Sequence, residues 1–435
     1  MKKVLIITYY WPPCGGVGVQ RWVKFVKYCR SFGWEPIIYT VSNPEYPSLD
    51  ESFFNDIPEG VETIRTPIWE PYGIYKKIVG RKKEDKIRTA FTSDKKKNKF
   101  VENLSIWLRG NFFIPDARCF WIKPSIKYLR NYIKYFPVDA IVSNGPPHSV
   151  HMIAKGLKEN LDIPWLADFR DPWTQVYYFK DFKLGKWAFS RHREKELEVL
   201  ETADAVSTAS KGFVDGFHKL VDRNIDLVTN GFDHKDFEAL SDVQVSEFFD
   251  IVYAGSMPGD RNPYTFWQVI KDLINEIPGF SQKLKVQIIG EVDYQVKETV
   301  AHMGLEKNVF FPGFLPYKEV LQREKASQIL MANLPVNDNR GYAIPVKIYD
   351  YLGIGRPILF LGPTEADAAA IVRETKSGVV CEENDAEEIK KALRMWYKEY
   401  ESKGVLTQNA EGVELYTREY LSGKFAKILD RISKK

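Results

Sequence analysis

Apolar residues in this chain gather in short unbroken runs separated by glycine-rich turns and helically spaced segments. Residues 4–9 read VLIITY, the loop WPPCGGVGVQ comes next, a helical spacing covers about 20–32, and a second run occupies 36–41. Runs that are apolar on both faces suit strands of a parallel sheet, because helices cover both sides of such a sheet. Strand, glycine-rich turn, helix and strand in that order predict the opening of a doubly wound α/β domain. Further runs at 140–143, 165–168, 205–208 and 226–228 extend the same sheet. The stretch 40–137 is longer than a normal crossover, and its Pro, Lys and aromatic content predicts an inserted helical region at about 70–136 rather than core.

The pattern restarts after Asn230-Gly231-Phe232-Asp233. An acidic stretch through Ser246 gives way to a strand at 249–254 that ends in Gly255-Ser256, a helix at 264–277 and a strand at 285–289 that ends in Gly290-Glu291. A helix to Met303, short strands at 309–311 and 328–332, and an amphipathic helix at 416–433 complete the series. Two successive units of this kind predict two Rossmann-like domains, 1–233 and 248–415, facing a cleft.

A length of 435 residues fits two or three domains, and 44% hydrophobic residues suffice for sizeable cores. The charged start MKKVLIITYYWPP loses its apolar character at Pro12, too soon for a signal peptide. No apolar run reaches the roughly 18 residues of a membrane span. Cys14, Cys29, Cys119 and Cys381 form no Cys-x-x-Cys pair, which argues against zinc and for a reducing, cytoplasmic setting. Charge is uneven: residues 76–134 hold 17 Lys or Arg against five acids, although the whole chain is only +4. Interleaved aromatics make that block an expected contact for an anionic membrane surface, with a solvated helical face as the alternative and nucleic acid not expected.

Candidate chemistry concentrates in YAIPVKIYDYLGIGRPILFLG, residues 342–362. Pro345 suits a first helical turn, Lys347 and Asp350 fall three apart on one face, Gly353 and Gly355 offer the stop, and 356–361 reads as a strand. A lysine there can neutralise a phosphate, and a carboxylate one turn later can accept from a ribose diol; a plain amphipathic helix before a strand fits equally well. Gly15, Gly16 and Gly18 close the first strand, but the second ends YTVSN without an acid, so no nicotinamide cofactor is expected. LADFRDPW sets Asp168, Arg170 and Asp171 at a strand end, where uncompensated charge is costly and ligands bind; a structural Arg-Asp network is the alternative. His148, in NGPPHS, sits beyond another strand end and either lines the site or caps its loop. No Asp-x-Asp, Gly-x-Ser-x-Gly, His-Glu-x-x-His or Walker A pattern occurs.

The run DYLGIGRPI at 350–358 resembles the segment following the second acid of the Glu-x7-Glu motif in family 4 glycosyltransferases, retaining enzymes of the two-domain GT-B fold. The resemblance implies that Asp350 holds the nucleotide ribose, whereas Tyr342 stands where the first Glu would be and takes no such role. It implies a Gly-Gly loop at Gly15 and Gly16 approaching donor diphosphate or acceptor, and puts Arg170-Asp171 where many members have a His-Asp pair. Gly255, Ser256 and Arg261 fall in the family's diphosphate loop, with Met257 in place of a usual Arg, and Gly290-Glu291 resembles its glycine-acid turn. The resemblance further implies a nucleotide-diphosphate sugar as donor, no metal, a glycan or lipid-linked acceptor in cell-surface polysaccharide or glycolipid synthesis, and a last helix (416–435) crossing back to the first domain. A sugar-nucleotide epimerase of the same fold, or a non-catalytic membrane-docked nucleotide-sugar-binding protein, would share the donor site.

Overall fold

A computed structural model describes residues 1–70, 99–334 and 342–434. The chain divides into two units, Met1–Thr229 with Glu419–Lys435, and Asn230–Arg418. The first is built on a seven-stranded parallel sheet of order β3-β2-β1-β4-β5-β6-β7. Its strands are β1 (Lys2–Ile7), β2 (Trp34–Val41), β3 (Glu62–Thr66), β4 (Ala140–Gly145), β5 (Trp165–Phe169), β6 (Ala205–Thr208) and β7 (Asp226–Leu227). Alternate residues of β1 feed separate cores: Leu5 and Ile7 pack with Leu129, Trp165 and Val199, while Val4 and Ile6 pack with Trp22 and Phe25. Both faces are therefore apolar, which is why the run VLIITY is continuous rather than alternating.

Helices α1 (Val17–Cys29), α2 (Lys99–Phe112), α3 (Ile122–Tyr135), α4 (Ser149–Leu161), α5 (Lys186–Thr202) and α6 (Lys211–His218) belong to this unit. Part of the expected insert is core. Trp121 is buried and stacks on Tyr39 at 5.3 Å, and α3 buries Ser125, Leu129 and Ile133 as the crossover between β3 and β4. Its exposed lysines disguised a four-residue apolar spacing. Residues 71–98 of that stretch, with much of its basic run, lie outside the described residues.

The second unit carries a six-stranded parallel sheet of order β10-β9-β8-β11-β12-β13. Its strands are β8 (Phe249–Ala254), β9 (Leu284–Ile289), β10 (Val309–Gly313), β11 (Ile329–Asn333), β12 (Ile358–Leu361) and β13 (Gly378–Cys381). Its helices include α7 (Tyr264–Glu276), α8 (Tyr294–His302), α9 (Tyr317–Ala326) and α10 (Lys347–Ile354), followed by α11 (Asp367–Glu374) and α12 (Ala386–Lys403). Strand β12 begins two residues later than the apolar run suggests. Arg356 turns its guanidinium to the carbonyls of Lys325 and Leu406 (3.1 and 3.2 Å) instead of joining the ladder.

The last helix, α13 (Arg418–Ile432), returns to the first unit. Phe425 lies 4.9 Å from Trp22 and 5.4 Å from Phe25 on α1, and Leu421 and Leu429 are buried in the same cluster. Among the described residues, no helix is long and apolar enough to cross a membrane.

Candidate functional site

In the second unit the carboxyl ends of β8, β9 and β11 and the start of α10 converge on one place. Gly255 follows β8 at φ 130° and Gly290 follows β9 at φ 128°, a backbone region that strongly favours glycine. A Cβ on Gly290 would lie 2.5 Å from the Gly255 carbonyl oxygen, so the two loops pass backbone to backbone. Met257 N–H donates to the Glu291 carbonyl and Asp293 N–H to the Met257 carbonyl (both 2.9 Å), lacing the loops together. Ser256 and Glu291 are exposed on this rim.

Lys347 enters from α10. Its stem is partly exposed, but its ammonium is enclosed without a hydrogen-bond acceptor, 3.4 Å above the centre of the Tyr253 ring. A Cβ on Gly255 would sit 3.1 Å from that nitrogen, so glycine is what allows the ammonium to reach the loop. Burial pulls Lys347 below the ordinary lysine range. Burial would push the Tyr253 phenol up, yet Lys347 and Arg261 beside it hold it below its usual value. Arg261 keeps a buried Nε without a partner, while its carbonyl accepts from Asn333 Nδ2 (2.7 Å) and Asn333 Oδ1 has no donor. Among the described residues, two cations and an amide acceptor are thus gathered without an ion pair, at a cost that a bound anion would offset.

Tyr351, which sequence reasoning did not single out, fixes the helix. Its phenol donates to the Met331 carbonyl (3.1 Å) and accepts from Ala254 N–H (3.3 Å), tying α10 to β11 and β8. Pro345 closes the first turn by accepting from Ile348 N–H (3.0 Å). Glu324 on α9 was also missed: burial and the nearby Asp350 charge push its carboxyl up to about 8, with Lys347 opposing. Nothing in YKEVLQREKA marks that glutamate, because its burial comes from the packing of α9 against β8 and α10.

The first unit holds a second group of candidates. Asp168, at the end of β5, is fully buried. Arg21 grips it with two bonds (2.8 and 2.9 Å), and Trp22 Nε1 and Ser207 Oγ donate at 2.9 and 2.8 Å. Arg170 and Asp171 pair at 3.0 Å near the surface, so part of the structural network expected as the alternative exists. A Cβ on Gly18 would collide with Arg170 Nη1, which places that guanidinium against the Gly15–Gly18 loop. Gly15 N–H donates to the Ser48 carbonyl (2.9 Å), and Gly16, at φ 95°, caps α1. His148 precedes α4, stacks on Trp173 at 4.7 Å and keeps a buried Nδ1 without a partner. Burial, and then neighbouring His151, hold it well below the ordinary histidine range, so it is neutral.

Residues 244–413 match the family model for glycosyl transferases group 1. No curated protein matches the chain. Similar solved structures include HepE of Anabaena in complex with UDP-glucose, with 10% identity and a TM-score of 0.53 over 100% of this chain and 98% of that one. TarM of S. aureus, solved with Fondaparinux, alpha-GlcNAc-glycerol and UDP, has 10% identity and a TM-score of 0.58 over 99% of this chain and 100% of that one. The N-terminal domain of trehalose-6-phosphate phosphatase from Candida albicans has 11% identity and a TM-score of 0.59 over 100% and 97%. These likenesses and the two parallel sheets identify the fold as GT-B, and the stretch that matches the glycosyl transferases group 1 model covers most of the second unit.

Proposed function

We propose that the protein is a glycosyltransferase that moves a sugar from a nucleotide-diphosphate sugar to an acceptor hydroxyl, retaining anomeric configuration and using no metal. One observation carries the reading: inside the group 1 domain, the Lys347 ammonium is enclosed without an acceptor beside Gly255, with Arg261 nearby. HepE bound to UDP-glucose and TarM bound to UDP support a donor of that class. In the transfer, the bond from the anomeric carbon to the diphosphate oxygen breaks and its electron pair stays on the diphosphate. The acceptor oxygen bonds that carbon on the same face, and its proton passes to the departing diphosphate oxygen. Lys347 and Arg261 neutralise the departing charge, a task low dielectric strengthens. Asp350 takes the ribose diol, Gly290-Glu291 borders the base, and the first unit's Gly16 loop, Arg170 and Asp171 serve the acceptor, which belongs to cell-surface polysaccharide or glycolipid synthesis.

A thermal-shift comparison of UDP, GDP and ADP tests the donor half. One of them is expected to raise the melting temperature, and Lys347→Met or Asp350→Ala to remove most of that rise. A melting temperature that no nucleoside diphosphate moves, or a shift that survives Lys347→Met, sinks the reading. Slow donor hydrolysis should continue in excess EDTA; a loss that magnesium reverses would show that the two cations do not replace a metal.

A further inference from the structure

A cavity of about 360 Å³ lies wholly within the first unit, with Arg109, Arg118, Arg170, His148, Phe113 and Trp173 on its wall. Among the described residues its one wall carboxylate is committed: Asp116 accepts from Arg118 N–H, Ser149 N–H and Ser149 Oγ, each at 2.8 Å. Arg118 faces Glu70 at 3.0 Å and Arg170 faces Asp171 at 3.0 Å. Arg109 is different. It lies over the Phe182 ring at 5.5 Å, and among the described residues it meets no carboxylate. His192 brings no charge either, because Trp173 Nε1 donates to its Nδ1 and its Nε2 hydrogen goes to the Gly110 carbonyl (both 3.1 Å). The wall therefore offers guanidinium forks and aromatic faces but no uncommitted acid, which selects an anion such as a phosphate ester.

The same elements carry apolar surface outward. Along residues 107–113 the wall positions Arg109, Gly110 and Phe113 alternate with exposed Trp107, Leu108 and Phe112. A Cβ on Gly110 would lie 2.7 Å from Leu184 and 2.9 Å from Phe182, so α2 crosses the approach to α5 closely. Beyond that crossing Trp187 and Phe189 are 65% and 49% exposed. Lys180, Lys183 and Lys186 are exposed along the same stretch with a single acid, Asp181. Bulky aromatics rimmed by lysine at the mouth of a cationic cavity match an amphiphile with an anionic head.

We infer that this cavity and the apolar surface continuous with it bind a phosphate-bearing lipid, its phosphate on Arg109 and its hydrocarbon on Trp107, Phe112 and Trp187. The inference rests on the proposed glycosyl transfer and names its acceptor class: a lipid phosphate. Titrating the full-length protein with dodecyl phosphate below its micellar concentration, by tryptophan fluorescence, tests it against inorganic phosphate and neutral dodecyl maltoside. Dodecyl phosphate is expected to bind on the order of tenfold more tightly than either. Arg109→Gln should erase most of that advantage over dodecyl maltoside, and Trp187→Ser should weaken both dodecyl compounds alike. Equal binding of dodecyl phosphate and either control, or an unchanged titration for Arg109→Gln, overturns the inference. The thermal shift with nucleoside diphosphates reads the second unit separately: its absence with UDP, GDP and ADP alike removes the transfer reading and leaves the alkyl phosphate result standing, whereas an intact shift with no alkyl phosphate binding removes only the lipid.

Discussion

Lys347 shows how a single side chain trades stability for binding. Enclosing an ammonium without an acceptor costs free energy that the Tyr253 ring face returns only in part. Lys347→Met is expected to raise the ligand-free melting temperature of the second unit by about 2–4 °C while removing its response to the nucleoside diphosphate that binds. A diphosphate would return the lysine pKa toward the ordinary range, so affinity for that nucleotide should hold at neutral pH and fall as pH rises through the alkaline region, where isothermal titration would follow it. Glu324 gives the opposite kind of signal. Its carboxyl is raised from 4.5 to about 8, so the folded state keeps the proton that the unfolded chain releases. That contribution to stability is fully present below 4.5 and lost as pH rises through about 8; Glu324→Gln should flatten the urea midpoint across this window. Lys347 and Asp350 were legible because helix spacing displays them. Glu324 was not, since its burial is decided by other elements packed on α9, and the compensation of the Asp168 charge could not be read because its partner Arg21 lies 147 residues earlier.

At the level of elements, the two strand-end turns after β8 and β9 carry the donor-side geometry. Gly290→Ala places a methyl 2.5 Å from the Gly255 carbonyl and forces a positive φ on alanine. The expected loss is about 1–3 kcal/mol from the backbone alone, seen as a lower denaturant midpoint for the second unit. Central strands such as β1, β8 and β11 could be read from sequence because burial on both faces makes their runs continuous. The edge strands β7 and β10 could be read as short runs, but β3 and β13 could not: β3 buries one residue, Ile64, and β13 is a four-residue GVVC. Helix α3 was taken for insert because its surface charge is counted more easily than its buried spacing.

For the whole molecule, the division of the chain matters more than any one contact. The first unit is discontinuous, since Leu421, Phe425 and Leu429 complete the core that Trp22 and Phe25 begin. Each such side chain contributes roughly 1.5–3 kcal/mol by burial, so deleting residues 419–435 removes a large share of a typical domain's stability. A chain ending at Arg418 is expected to lose the calorimetric transition of the first unit and keep the nucleotide-shifted transition of the second.

The same discontinuity sets an order of assembly during synthesis. The first unit leaves the ribosome first but cannot close over Trp22 and Phe25 until the final helix emerges, after every residue of the second. The contiguous second unit is finished earlier although it is made later. A ribosome that stops short of the last helix therefore releases a chain with its second unit whole and a greasy seam open on the first, a mark by which cellular quality control can recognise incomplete product.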